Sequence, residues 1–185
     1  LWIINSHNGY GNIPAVNIED YPDIKVHLDC YIADLQKRKD KGITPYNLRS
    51  CIYMEDFSKQ KIVWGEISDK SKFALDEMGM YPEATTFLMT GNNLKFLLAI
   101  LNSKLGEWSF NQIGTRTGMG TNRWKKYTLE SLVVKTPTSE EKTQIEILVT
   151  KIIHEPSKEN ITALDNAIYQ LYQLTDEEIS FIEAQ

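Results

Sequence analysis

The run Phe96-Leu97-Leu98-Ala99-Ile100-Leu101, with Leu94 before it and Leu105 after it, most restricts what this chain can become. Its residues suit a helix and are apolar on nearly every side, so that helix has no face fit for water and belongs inside other structure. Asn92 or Asn93 stands where a cap is needed, and Glu107 to Gln112 reads as an extension past Gly106. A buried helix needs packing partners all round, and 185 residues with 42% apolar content can supply them.

The partners expected before it are one amphipathic helix and a set of strands. From Tyr21-Pro22-Asp23, the residues Ile24, His27-Leu28, Tyr31-Ile32 and Leu35 recur at helical spacing, ending in Lys37 to Lys41 with a stop at Gly42. Cys51-Ile52-Tyr53, Lys61-Ile62-Val63-Trp64, Lys72-Phe73-Ala74-Leu75 and Thr85 to Met89 are β-branched or aromatic runs separated by turn residues. After it come a glycine-rich segment that reads as a mobile loop, a short strand Leu132-Val133-Val134, and Pro137. Helices are then expected over Lys142 to Ile153, Ile161 to Tyr172 and Thr175 to Glu183, the last opened by a capping-box pattern. The expectation is an α+β (mixed α/β) fold with a central mixed or antiparallel sheet, packed helices and a C-terminal helical tail. Residues 1–136 form the body, and residues 137–185 a helical extension that packs on it. Leu1-Trp2-Ile3-Ile4 reads as a strand entered midway, as in a piece of a longer polypeptide.

Charge is divided along the same line. Residues 1–135 hold 17 Lys and Arg against 15 Asp and Glu, whereas residues 136–185 hold 3 against 10, so the net −5 resides in the tail. Within the body, Lys37, Arg38, Lys39 and Lys41, with Arg49 past the turn, form one basic cluster. A solvated helix end stabilised by its dipole accounts for it as well as a phosphate-binding face does. The second cluster is sharper. Between Glu107 and Glu130 there is no carboxylate, but there are Arg116, Arg123, Lys125 and Lys126, with Asn122 and Trp124 among them. Glycines let backbone approach a phosphate, Arg and Asn can pair with guanine and adenine edges, and Trp124 could stack on a base or pack inside.

Motifs for reaction chemistry are missing. The Asn/Asp-Pro-Pro-aromatic tetrapeptide that holds a base for amino methylation is absent, since Thr44-Pro45-Tyr46 has one proline and the wrong first residue. Pro22-Asp23 is not followed by the acid-x-Lys triplet of a restriction nuclease, and it suits a helix start. Cys30 and Cys51, with three scattered histidines, give no zinc spacing and read as reduced, buried thiols. His7 and His27 read as structural, and His154 as a helix end. No run is long and apolar enough for a transmembrane helix, and no signal peptide is recognisable.

The ordered segments resemble the TaqI-like C-terminal specificity domain of type II and type IIG restriction–modification methyltransferases. The resemblance is carried by Ile13-Pro14-Ala15, Tyr21 to Leu28, Leu35 to Arg49, Lys61 to Ser68, the apolar stretch Leu97 to Leu105, and Asn122-Arg123-Trp124-Lys125-Lys126. Leu164 to Ile179 is similar to the usual ending of such enzymes, in which Leu-Tyr-Gly-Leu-Thr is common; Gln173 stands here in place of that glycine. The resemblance implies sequence-specific recognition of double-stranded DNA, with no catalysis and no cofactor in this portion. It also implies an upstream methyltransferase domain of the same polypeptide that uses S-adenosylmethionine on adenine N6. Some members add a nuclease, with Mg2+, and the setting is the bacterial cytoplasm. Arg116, Asn122, Arg123, Lys125 and Lys126 are the expected DNA-facing residues, assisted by Lys37, Arg38, Lys39, Lys41 and Arg49. The rival expectation is a protein-interaction module that docks another subunit through its acidic helical tail.

Overall fold

The computed structural model describes residues 2–83 and 85–185, and the chain divides into two compact units, Leu1–Asp56 and Phe57–Gln185. Leu1, where the expected opening strand begins, lies outside the described residues, and residues 2–4 are irregular.

In the first unit, the single helix expected from Tyr21 to Lys41 is two: α1 (Pro22–Asp29) and α2 (Ile32–Lys37). Neither holds a fully buried residue, and Cys30 between them is exposed rather than buried. The unit is held instead by polar contacts around Asn47, which is 1% exposed. Its amide donates to the carbonyls of His7 (3.3 Å) and Val16 (2.9 Å), and Ser6 donates to the Tyr46 carbonyl at 2.7 Å. Gly42 is required here, because a Cβ would come within 2.6 Å of the Leu48 carbonyl and meet the Asn8 side chain as well. Asp29 accepts from the Tyr46 hydroxyl and from Lys25, and these two contacts hold its carboxyl below the usual range. The expected strand Cys51-Ile52-Tyr53 is a turn that leads into a 3-10 helix at Met54–Ser58, with Ile52 98% exposed.

The second unit begins with β1 (Lys61–Gly65), β2 (Ile67–Ser68), β3 (Ala74–Asp76) and β4 (Thr86–Thr90). β1 is the centre of an antiparallel sheet in the order β3-β1-β4, with Lys61 opposite Asp76 and Trp64 opposite Phe87. Over this sheet lies α3 (Leu94–Asn102), in which Leu94, Phe96, Leu98, Ala99, Ile100 and Leu101 are all buried, as its apolarity demands. Asn93 occupies the cap position but is left-handed (φ 60°) and gives no capping bond; its side chain accepts from Lys142 instead. The helix expected to run from Leu94 through Gly106 is two, and the first ends at Asn102. Ser103 ends it and caps α4 (Lys104–Ile113), its hydroxyl accepting from the Gly106 amide at 3.0 Å. Gly106 sits against the Ile100 carbonyl with no room for a Cβ, which is why a glycine stands in the first turn of this helix.

Next come β5 (Thr115–Arg116), β6 (Asn122–Arg123) and the single turn α5 (Lys126–Leu129). Leu132 to Val134 is irregular. Its place in a ladder is taken by the Tyr172 hydroxyl, which donates to Val133 O (3.0 Å) and accepts from Lys135 N (3.1 Å). α6 (Ser139–His154), α7 (Lys158–Tyr172) and α8 (Asp176–Glu183) complete the unit, α6 and α8 each opened by a capping box (Thr138/Glu141 and Thr175/Glu178). Ile145, Val149, Leu164, Ile168, Leu171 and Ile182 join the α3 residues in one core. The expected boundary near Pro137 therefore falls inside the second unit. Asp165 accepts from the Lys104 amide at 2.9 Å, while Glu183 takes Lys104 Nζ and the Tyr169 hydroxyl (2.8 Å), joining α4, α7 and α8. The result is an α+β fold with two small antiparallel sheets and a helical C-terminal part.

Gln173 ends α7 in the left-handed conformation, φ 58° and ψ 43°, with its amide donating back into the last turn. The turn is therefore as sharp as a glycine would make it, at the cost of a crowded Cβ. Gln173→Gly is expected to raise the stability of this unit by about 0.5–1 kcal/mol, seen as a higher urea midpoint. A lower midpoint would mean that the Gln173 side chain contributes more than its backbone costs.

Candidate nucleic-acid interface

The acid-free segment is not a loose loop. β5 and β6 form a hairpin in which Thr115 faces Arg123 and Arg116 faces Asn122, and β6 pairs on its other side with β2 to give the order β2-β6-β5. Strands this short hold poorly by ladder bonds alone. The residue after β6 supplies the rest. Trp124 is 2% exposed, stacks on Phe110 with ring centroids 3.9 Å apart, and meets Phe73 edge-on at 5.4 Å. Its amide donates to Glu66 O (2.7 Å), its indole N–H donates to Ser68 O (3.1 Å), and its carbonyl accepts the Trp64 indole at 2.8 Å. Of the two roles open to Trp124, the ring takes the packed one, covered inside the protein, where it fixes the base of the hairpin. Asn122 is also turned inward: it is 6% exposed and donates to Asn111 at 2.7 Å.

The cations around this anchor face outward. Arg116 is exposed and forms no ion pair with another described residue. The Arg123 side chain is 41% exposed and lies 3.9 Å from Glu66, a loose contact that leaves its donors available. Lys126 is 73% exposed and 3.6 Å from Glu130, and Lys125 Nζ lies over the Tyr127 ring at 5.9 Å. Beyond them the tip closes on itself, Thr117 N donating to Thr121 O at 2.7 Å and Gly120 N to Thr117 O at 2.9 Å.

In the first unit the five expected cations separate. Arg38 is structural: its guanidinium donates to the carbonyls of Pro45 (3.0 Å) and Asn47 (2.9 Å), closing the turn after Gly42. Lys41 donates to the Gln36 carbonyl at 2.7 Å. Lys37 pairs with Asp34 at 3.4 Å and Arg49 with Asp40 at 3.6 Å, both in exposed positions where ion pairs exchange readily for another anion. Lys39 is exposed and forms no ion pair with another described residue. Glu66 and Tyr127, which flank the hairpin cations, carry no sequence signal that would have singled them out.

Residues 17–134 match the family of the TaqI-like C-terminal specificity domain. The chain belongs to this family. Specificity domains of this kind recognise DNA sequence in restriction–modification systems and are not themselves catalytic. The matched span of this specificity domain includes both cation groups and the hairpin, and it ends before α6. No curated protein matches the chain. Among the described residues, no group of His, Cys, Asp and Glu could hold a metal ion, and no helix is long and apolar enough to cross a membrane.

Proposed function

We propose that this specificity domain reads a double-stranded DNA target for a restriction–modification adenine-N6 methyltransferase of the bacterial cytoplasm, and that the hairpin β5–β6 is its principal DNA-contacting element. The observation that carries the reading is an anchored hairpin bearing Arg116 and Arg123, followed at once by Lys125 and Lys126, within a stretch free of carboxylates. Lysines suit phosphate contacts, and the two arginines suit forked pairing with guanine edges. Lys37, Lys39, Lys41 and Arg49 add phosphate contacts from the first unit. Arg38 and Asn122, already committed to internal hydrogen bonds, act on DNA only by shaping their surroundings. In this reading an upstream domain of the same polypeptide holds S-adenosylmethionine and carries out the methyl transfer, and any fused nuclease brings its own Mg2+.

The test is DNA affinity as a function of salt. Replacing Arg116, Arg123, Lys125 and Lys126 together by alanine should flatten the slope of log K against log salt by about 0.9 for each phosphate that is no longer neutralised. Replacing Lys151 and Lys158, in the tail helices, should leave the slope unchanged. An unaltered slope and affinity in the fourfold variant would overturn the hairpin assignment. The finer reading is checked separately: a genome carrying the intact gene should show N6-methyladenine at one fixed sequence.

A further inference from the structure

The hairpin tip carries one apolar side chain, and it is held out in solvent. Met119 is 93% exposed and stands between Gly118 and Gly120. A Cβ built on either glycine would have open space around it, so no described part of the fold crowds the tip. Gly120 has φ 83°, a conformation that turns the chain sharply behind Met119. The turn is fixed by the Thr117–Thr121 bond at 2.7 Å, with the Thr121 amide also donating to Thr117 Oγ1 at 3.2 Å. A single exposed methionine is ordinary on a protein surface. This one differs in its surroundings. It leads the turn at residues 117–121, which extends beyond the short β2-β6-β5 ladder and has Arg116 and Arg123 on the two strands at its base, with no carboxylate between Glu107 and Glu130.

We propose that Met119 is a wedge that enters the base stack when the hairpin engages DNA. The inference rests on the DNA reading above and gives it a mechanical step. A β-ribbon fits a DNA groove, and cations on its flanks draw it against the phosphates. The two glycines keep the tip slim, so the unbranched thioether can reach between adjacent base pairs. Methionine suits that task because it is flexible and polarisable and its sulfur packs well on aromatic faces. Apolar side chains inserted in this way partly unstack a step and bend the duplex, so steps that unstack easily are favoured. Met119 would thus contribute to sequence choice without a hydrogen bond to any base.

The experiment uses duplexes with random cores from which the chain selects its preferred targets. 2-Aminopurine is then placed in turn at each adenine of a selected duplex. With the native chain, fluorescence should rise at one step on binding, as the bases there unstack. Met119→Ala should abolish that rise while leaving the salt slope unchanged, and Met119→Leu should keep it. A Met119→Ala complex that brightens as the native one does, or a native complex with no bright step, overturns the wedge and leaves the DNA reading intact. If no duplex is selected at all, the DNA reading fails and the wedge with it.

Discussion

Trp124→Ala is expected to destabilise the second unit by about 3–5 kcal/mol, the usual cost of emptying a fully packed aromatic site. The ring lies between Phe110 and Phe73, so its removal leaves two other core aromatics facing a void. It also leaves Ser68 O without the indole that now donates to it. Trp64, Trp108 and Trp124 all lie in this unit, so intrinsic fluorescence in urea follows its unfolding, with Trp64 and Trp108 reporting in the variant. Weaker DNA binding should accompany the destabilisation although no cation is touched, because β6 then loses its aromatic anchor and keeps only its two-residue ladders, the backbone bonds at residue 124 and the Asn122–Asn111 bond. Trp124→Phe keeps a ring against Phe110 and should fall between the two. A shift under about 1 kcal/mol for the alanine variant would show that the hairpin base does not depend on this side chain.

Asp76→Ala is expected to cost about 3–5 kcal/mol by leaving a buried cation without its counter-charge. Lys61 is fully buried, forms an ion pair with Asp76 across the β1–β3 register, and donates to Phe57 O at 2.6 Å. Asp76 in turn accepts from the amides of Met78 and Met80, both at 2.8 Å, and so fixes the turn after β3. Burial pushes its carboxyl upward, but the Lys61 and amide hydrogen bonds and the Lys61 charge outweigh it and hold the group below its ordinary range. A carboxyl depressed by folding contributes stability above its unfolded value, near 4, and that contribution fades as pH falls through the folded value. Native protein should therefore lose stability on the acid side through this pair. Replacing both residues together, Lys61→Met with Asp76→Leu, should restore much of what Asp76→Ala loses and flatten that acid limb. If the double variant is no more stable than Asp76→Ala, the cost lies in the turn amides rather than in the stranded charge.

The parts of this fold legible in the sequence are those fixed by local pattern. The apolar run at Phe96 to Leu101 can only be a buried helix, and Thr175 with Glu178 sets a helix start whatever surrounds it. The failures share one cause: a partner distant in sequence decided the outcome. Leu132 to Val134 has strand chemistry, but a tyrosine hydroxyl meets its backbone where a strand was expected. Cys51 to Tyr53 has it too, yet it is a turn leading into the 3-10 helix at Met54–Ser58. The candidate site shows the same division. Its cations and the absence of acid are visible in one dimension. Trp124 as the fastener is not, because Phe110, Phe73, Glu66 and Ser68 come from separate elements. Arg38 looks like its basic neighbours, and only the carbonyls of Pro45 and Asn47 set it apart.

The anchoring of the hairpin and its outermost residues have separate supports. Everything that fastens the element lies at Trp124 and the strands beside it, whereas Gly118, Met119 and Gly120 point into empty space. Most substitutions at Gly118 or Met119 should leave folding untouched, while Gly120 is limited mainly by its backbone. Selection can therefore try new residues at the end proposed to meet DNA without disturbing the core. A lineage under pressure to change its recognition sequence would have, in this tip, a place where heritable variation is tolerated.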